Sequence, residues 1–331
     1  MLKKISLSLL ACSTLICLAC TKKTGEKTVT LVMAEVNPAE SFVGRVDAAF
    51  KEKAEELSGG SIIIDISYSA ALGNDRQVMD LVKTPGSIVQ LVRSSTNLSS
   101  YSKGLPLRSA LLSIPYTFRN DEHFWRFARS ELAEEILDEP YRLGLGIKGL
   151  FFGEEGQRHF FSPLPIKDIS DLRGKTIRVS GNALKDIVQA FGGIPVDLPF
   201  PEMYTAMHIG SVEIADQPLT NYLSNGFHKV APYMICDGHM IGSFQVIINA
   251  ACWDSLSQKQ QQVLKEAGAY ASEFCRKTLD DITKEAVERL EKEGAVIIPL
   301  ADNSPWQEAC VQIREKEALV DPVMYRQILA F

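Results

Sequence analysis

The stretch Asp171-Leu172-Arg173-Gly174-Lys175-Thr176-Ile177-Arg178-Val179 reads as a turn that feeds a short strand. Side chains alternate along a strand, so Ile177 and Val179 point one way while Thr176, Arg178 and Ser180 point the other. Gly181-Asn182 then offers a break and a helix cap ahead of a helix over 183–191. Arg178 therefore stands at a strand end, close to a helix N-terminus. A guanidinium with two parallel donors, next to the positive end of a helix, suits a carboxylate. The alternative is an arginine on an exposed strand face, or one paired with a carboxylate of the protein itself.

Downstream lie Phe191-Gly192-Gly193-Ile194-Pro195-Val196, Glu202-Met203-Tyr204-Thr205-Ala206-Met207 and Gly210-Ser211-Val212-Glu213. With the Arg178 stretch, in this order and at this spacing, they resemble the signature of TRAP-transporter solute-binding proteins, the dicarboxylate-binding, DctP-like family. The resemblance runs, more weakly, from about Val29 to the early 290s. It implies an α/β, two-lobed periplasmic-binding-protein-like fold with a central ligand cleft and a long helix spanning both lobes. On that template residues 28–154 plus 243–282 form the first lobe, and 155–242 plus 283–331 the second. The implied role is extracytoplasmic: to capture a small organic acid in the cleft and deliver it to TRAP membrane permease subunits. Some relatives work with a helical-repeat periplasmic partner. No cofactor, catalytic residue or metal ligand is implied.

The resemblance also nominates the site. Arg178 would anchor a carboxylate. The family often carries an arginine at the place of Arg158, near the cleft; a hinge salt bridge is the other reading of that residue. Asp216 and Gln217 end a strand where relatives often hold a polar ligand contact, although Ile214 stands where the family commonly has glycine. The loops after the first two strands face the cleft in relatives, which adds Glu35 and Asn37, whereas Asp75 is read as a turn or cap residue.

The rest of the composition agrees with a binding protein and excludes several classes. The chain has 331 residues, of which 46% are hydrophobic and 23% charged, enough for two substantial cores. A net charge of −6 gives no reason to expect nucleic acid. Lys3-Lys4, an apolar or small run over 5–18 and Leu18-Ala19-Cys20 resemble an export signal ending in a lipobox. Residues 1–19 would be the signal peptide, Cys20 the lipidated membrane anchor of a periplasmic protein, and 20–27 a tether. Cys17 stands where a lipobox usually has leucine; an ordinary signal peptide or an uncleaved anchor are the other readings. Cys236, Cys252, Cys275 and Cys310 form no C-x-x-C pair, so a zinc site is not expected, and both disulfides and free buried thiols stay open.

Two phosphate-like motifs fail on context. Gly144-Leu145-Gly146-Ile147-Lys148-Gly149 matches G-x-G-x-x-G, but a helix precedes it and a strand follows, the reverse of a dinucleotide site. Gly174-Lys175-Thr176 lacks the upstream glycine of a P-loop. Ser257-Gln258-Lys259-Gln260 is a capping box opening a helix that meets no proline before 293 and would run ~54 Å. Two other functions compete with solute capture. One is an exported hydrolase, against which stands the lack of G-x-S-x-G and H-E-x-x-H. The other is a partner-binding lipoprotein with a hydrophobic or vestigial cleft.

Overall fold

The computed structural model describes residues 27–102 and 105–331; the expected signal peptide, Cys20 and the tether up to residue 26 lie outside the described residues. The first strand, β1 (Val29–Ala34), pairs in parallel with β2 (Ile62–Ser67), and α1 (Phe42–Ser58) connects them. Ser41 caps α1 by accepting the Gly44 N–H, and Gly59 ends it in the left-handed region. Next come α2 (Asp75–Lys83), whose capping box is built by Asn74 and Gln77, and β3 (Leu91–Ser95), parallel to β1. The apolar run over 87–92 suggests a strand, but β3 begins only at Leu91. Residues 87–90 are irregular, with a bend at Ile88, Ser87 Oγ accepting the Val89 N–H and Gln90 Oε1 accepting the Val32 N–H. Arg93 and Ser94 therefore belong to the strand.

The apolar spacing over 121–137 suits one helix, but the structure has two, α3 (Asp121–Ala128) and α4 (Glu131–Arg142). Ser130 turns extended and its hydroxyl accepts the Ala133 N–H, which restarts the helix. The strand β4 (Ile147–Ser162) then crosses from one lobe to the other. In the second lobe β5 (Thr176–Val179), α5 (Asn182–Ala190), β6 (Ile194–Asp197) and α6 (Met203–His208) follow as expected in kind. The cap of α5 is Gly181, with no side-chain bond; Asn182 is already helical. Asp216 and Gln217, expected to end a strand, lie in the middle of β7 (Ala215–Pro218), which pairs antiparallel with β4 through Arg158↔Pro218 and His159↔Gln217.

After α7 (Leu219–Ser224), β8 (Tyr233–Asn249) returns the chain to the first lobe, antiparallel to β4 along most of its length. The two long strands are irregular where they pass between lobes: the register shifts between Glu154 and Gln157 and again between Arg158 and Phe160. Gly156 takes φ 88° inside the first shift. At Gly153 a Cβ would lie 2.3 Å from the Phe244 ring, so only glycine permits this contact of the strands. The main sheet runs β2-β1-β3-β8-β4-β7, while β5 and β6 form a separate parallel pair.

The chain ends with α8 (Ala250–Ser255), α9 (Gln258–Lys292), β9 (Val296–Pro299) on the second-lobe end of β8, α10 (Ser304–Ala309), α11 (Val311–Glu317) and α12 (Pro322–Ala330). Helix α9 has 35 residues, opened by the Ser257–Gln260 capping box. Its Leu264, Ala267, Ala271 and Leu279 enter the core under β1–β3, and Leu290 enters the core around Phe161 and Met234. It thus spans both lobes. The allocation of 283–331 to the second lobe needs one correction. Trp306, Cys310 and Ile313 do pack with Ile177 and Phe191, but Met324, Tyr325 and Ile328 of α12 join Phe124 and Phe127 in the first-lobe core. Apolar burial, which ignores chain order, decides this. Cys236, Cys252, Cys275 and Cys310 are free thiols, and Cys275 Sγ donates to Glu154 O at 3.1 Å. No helix among the described residues is long and apolar enough to cross a membrane.

Candidate functional site

The C-terminal ends of β1, β3 and β5, the irregular middle of β4 and β8, and α7 converge on one cleft between the lobes. Its volume is about 140 Å³, on the order of ten water sites, enough for a small organic molecule. Polar side chains from both lobes line it, including Asn37, Arg93, Glu155, Arg158, Arg178 and Gln217.

Arg178 is 2% exposed. Its strand is fixed by the Arg178 N–H donating to Ile214 O at 2.9 Å, and its guanidinium is oriented by Nε donating to Leu198 O at 3.0 Å. Gly181, Ala183 and Leu184, at the start of α5, share the wall. The expected pairing of a guanidinium with a helix N-terminus is therefore present, and it favours an anion.

Arg158 is held by a buried chain of charges. Its Nε donates to Asp216 Oδ2 at 2.5 Å; His239 Nε2 lies 3.3 Å from the same oxygen, and His239 Nδ1 lies 2.7 Å from Asp237 Oδ2. Burial disfavours charge on each group, but the partners prevail. Arg158 and His239 hold the Asp216 carboxyl well below the usual range. Asp237 and Asp216 raise His239 to about 9. Asp216 itself does not line the cleft; it stands behind Arg158.

The first-lobe wall is built round Arg93. Its Nε and Nη2 donate to Glu35 at 2.6 and 3.3 Å, and its Nη1 donates to Glu155 Oε1 at 3.0 Å. Glu35 also accepts from the Asn37 backbone N–H and Nδ2 at 2.6 and 2.7 Å. Burial would raise Glu35, but Arg93 overrides it and keeps the carboxyl low. Burial, then the charge of Glu35, pushes Asp47 behind it well above the carboxylate range. Burial likewise raises Glu155.

Of the residues nominated from sequence, Arg178, Arg158, Gln217 and Asn37 come together on the cleft wall, whereas Glu35 and Asp216 stand behind it as partners of arginines. Asp75, read as a turn or cap residue, lines the cleft; Asn74 is the cap. Sequence reasoning missed Arg93, Glu155 and Asn221. A strand extended by three residues would have placed Arg93 at the cleft. The acidic pair Glu154-Glu155 before Gly156, where the apolar run of β4 breaks, was the available signal for Glu155.

Comparison with known proteins agrees with this architecture. The family model described as bacterial extracellular solute-binding protein, family 7 (DctP) matches residues 33–318. The chain is 24% identical over 262 residues to the 2,3-diketo-L-gulonate-binding periplasmic protein YiaO of Escherichia coli K12, covering 78% of each. It is 20% identical to the C4-dicarboxylate-binding periplasmic protein DctP of Rhodobacter capsulatus, over 88% of this chain and 86% of that protein. Among solved structures, a TRAP periplasmic solute-binding protein of Pseudomonas putida F1 with bound D-glucuronate superposes with a TM-score of 0.85 at 24% identity, over 92% of this chain and 97% of that one. One from Polaromonas sp. JS666 bound to D-erythronate gives 0.85 at 24%, over 91% and 98%. The match over 33–318 shows that the chain belongs to the DctP family, family 7 of the bacterial extracellular solute-binding proteins.

Proposed function

We propose that this chain binds a small organic acid between its lobes, with Arg178 as the principal anchor of the carboxylate and Arg158, Gln217 and Asn37 completing the wall. The observation that carries this reading is the buried Arg178 guanidinium, oriented by Leu198 O beside the start of α5 in the interlobe cleft. The charged lining argues against an apolar or vestigial cleft. Closure brings the second-lobe arginines against the first-lobe loop that carries Asn37; contacts made only when shut hold the acid. The loaded protein then presents the acid to the TRAP membrane subunits. On this reading Cys20 carries the lipid that keeps the protein at the membrane. Acids of the kind bound by relatives, such as D-glucuronate and D-erythronate, are the first probes.

The test is mass spectrometry of ligand released from protein purified without refolding, followed by calorimetry with the acid found. A bound carboxylic acid whose affinity collapses in Arg178→Ala is the expected result. A neutral ligand, or an acid bound equally well by the variant, would sink the assignment.

A further inference from the structure

We propose that Glu155 is the specificity-setting carboxyl of the cleft: it takes up a proton from solvent when an anionic ligand binds, and in that form it donates a hydrogen bond to the ligand. This rests on the carboxylate reading above.

Glu155 sits in the register shift of β4, 6% exposed, on the cleft wall. One carboxylate oxygen is 3.0 Å from Arg93 Nη1 of the first lobe, and the other accepts from Asn221 Nδ2 of the second. It is the point where the polar walls of the two lobes meet.

Arg93, Arg158 and Arg178 line the cleft. Glu35 and Glu155 contact Arg93, and Asp216 contacts Arg158. Three guanidiniums thus share a small buried volume with three carboxylates. His239 lies between Asp237 and Asp216, and Asp75 adds a further acid on the cleft wall. A ligand carboxylate brings one more negative charge into surroundings where unbalanced charge is costly. Protonating one of the resident acids removes that excess.

Among Glu35, Asp216, Asp47 and Glu155, Glu155 is the one suited to it. Glu35 accepts from Arg93 at two donors and from Asn37 at two more, which keep it ionised. Asp216 is kept ionised by Arg158 and His239. Asp47 stands behind Glu35 and does not line the cleft, so it cannot meet a ligand; burial and then the charge of Glu35 raise it. Glu155 has one cation and one amide as partners, and burial already biases it toward the neutral form against the pull of Arg93 and Arg158. A protonated Glu155 offers an O–H to a ligand oxygen, where the ionised form would repel it. The cleft would therefore prefer acids that carry an acceptor oxygen within reach of Glu155.

Linkage fixes the sign. The ligand's charge raises the Glu155 pKa further, so binding takes up a proton at pH values between the free and bound pKa. In that window affinity falls as pH rises, by up to about tenfold per pH unit, and it is flat on either side. The test is calorimetry of D-glucuronate, D-galacturonate, D-erythronate and pantoate across pH, in pairs of buffers with different ionisation enthalpies. We expect any acid that binds to show net proton uptake and falling affinity toward alkaline pH. In Glu155→Gln both the uptake and the slope should vanish, with tighter binding than wild type at the alkaline end. Binding without proton exchange, or uptake that persists in Glu155→Gln, would overturn the inference and leave the carboxylate reading standing. If none of the acids binds, the carboxylate reading fails and this inference fails with it.

Discussion

Arg93 and Arg178 look into the same cleft from opposite lobes, yet they are held in different ways. Arg93 is clamped by two protein carboxylates, Glu35 and Glu155, at 2.6 and 3.0 Å. Arg178 donates from Nε to a backbone carbonyl, Leu198 O, at 3.0 Å. Removing a residue from a buried charge cluster leaves its partners unpaired. Arg93 therefore carries the cohesion of the first-lobe wall, while Arg178 is the arginine proposed to meet the ligand.

The largest effect should come from the clamp. Arg93→Ala leaves Glu35 and Glu155 buried without their cation and should lower global stability by about 3–5 kcal/mol, read as a shift in the urea midpoint. Next, Arg178→Ala should weaken acid binding by ~1.5–3 kcal/mol or more, which calorimetry will read. If Arg93→Ala leaves the urea midpoint where it was, the clamp does not hold the first-lobe wall together.

A third probe is pH. The folded-state pKa of His239, about 9, lies above the ordinary histidine value of 6.5. Its contribution is therefore fully present below 6.5 and is lost as pH rises through 9. Asp216 is depressed, so its contribution is present above 3.8, the ordinary value, and is lost as pH falls below that. Thermal melts should show both flanks, and His239→Gln should remove the alkaline one; an unchanged alkaline flank would disprove charge on His239. The smallest effect should be at the mouth, where Arg76 of α2 pairs with Asp197 of β6 across the lobes, both partners largely exposed. Arg76→Ala should change affinity by no more than ~1 kcal/mol, and by less as salt is raised. A salt-insensitive loss would mean that the mouth contributes as much as the buried walls.

The second-lobe half of this site was legible because it is local. Strand, glycine break and helix follow one another around Arg178, so alternation alone oriented the side chain. Helix α9 was equally readable, having a capping box and an uninterrupted periodic face. The first-lobe half was obscured by the irregular segment over 87–90, tied to the distant Val32 N–H through the Gln90 side chain, so that β3 starts later and reaches past Arg93. The full extent of β4 and β8 was hidden too. Both faces of these strands are largely buried, and register shifts with glycines at 153, 156, 238 and 242 erase the two-residue rhythm. Glu155 sits in one of those irregularities, where no periodic rule applies.

The return of α12 to the first-lobe core has a consequence for how the molecule comes into being. Met324, Tyr325 and Ile328 close a core whose opening strand is β1, so contacts that finish the amino-terminal half span nearly the whole sequence. Such long-range closure is slow, and it cannot happen before α12 has been synthesised. A chain deprived of α12 would leave the first lobe, and not the second, unfinished.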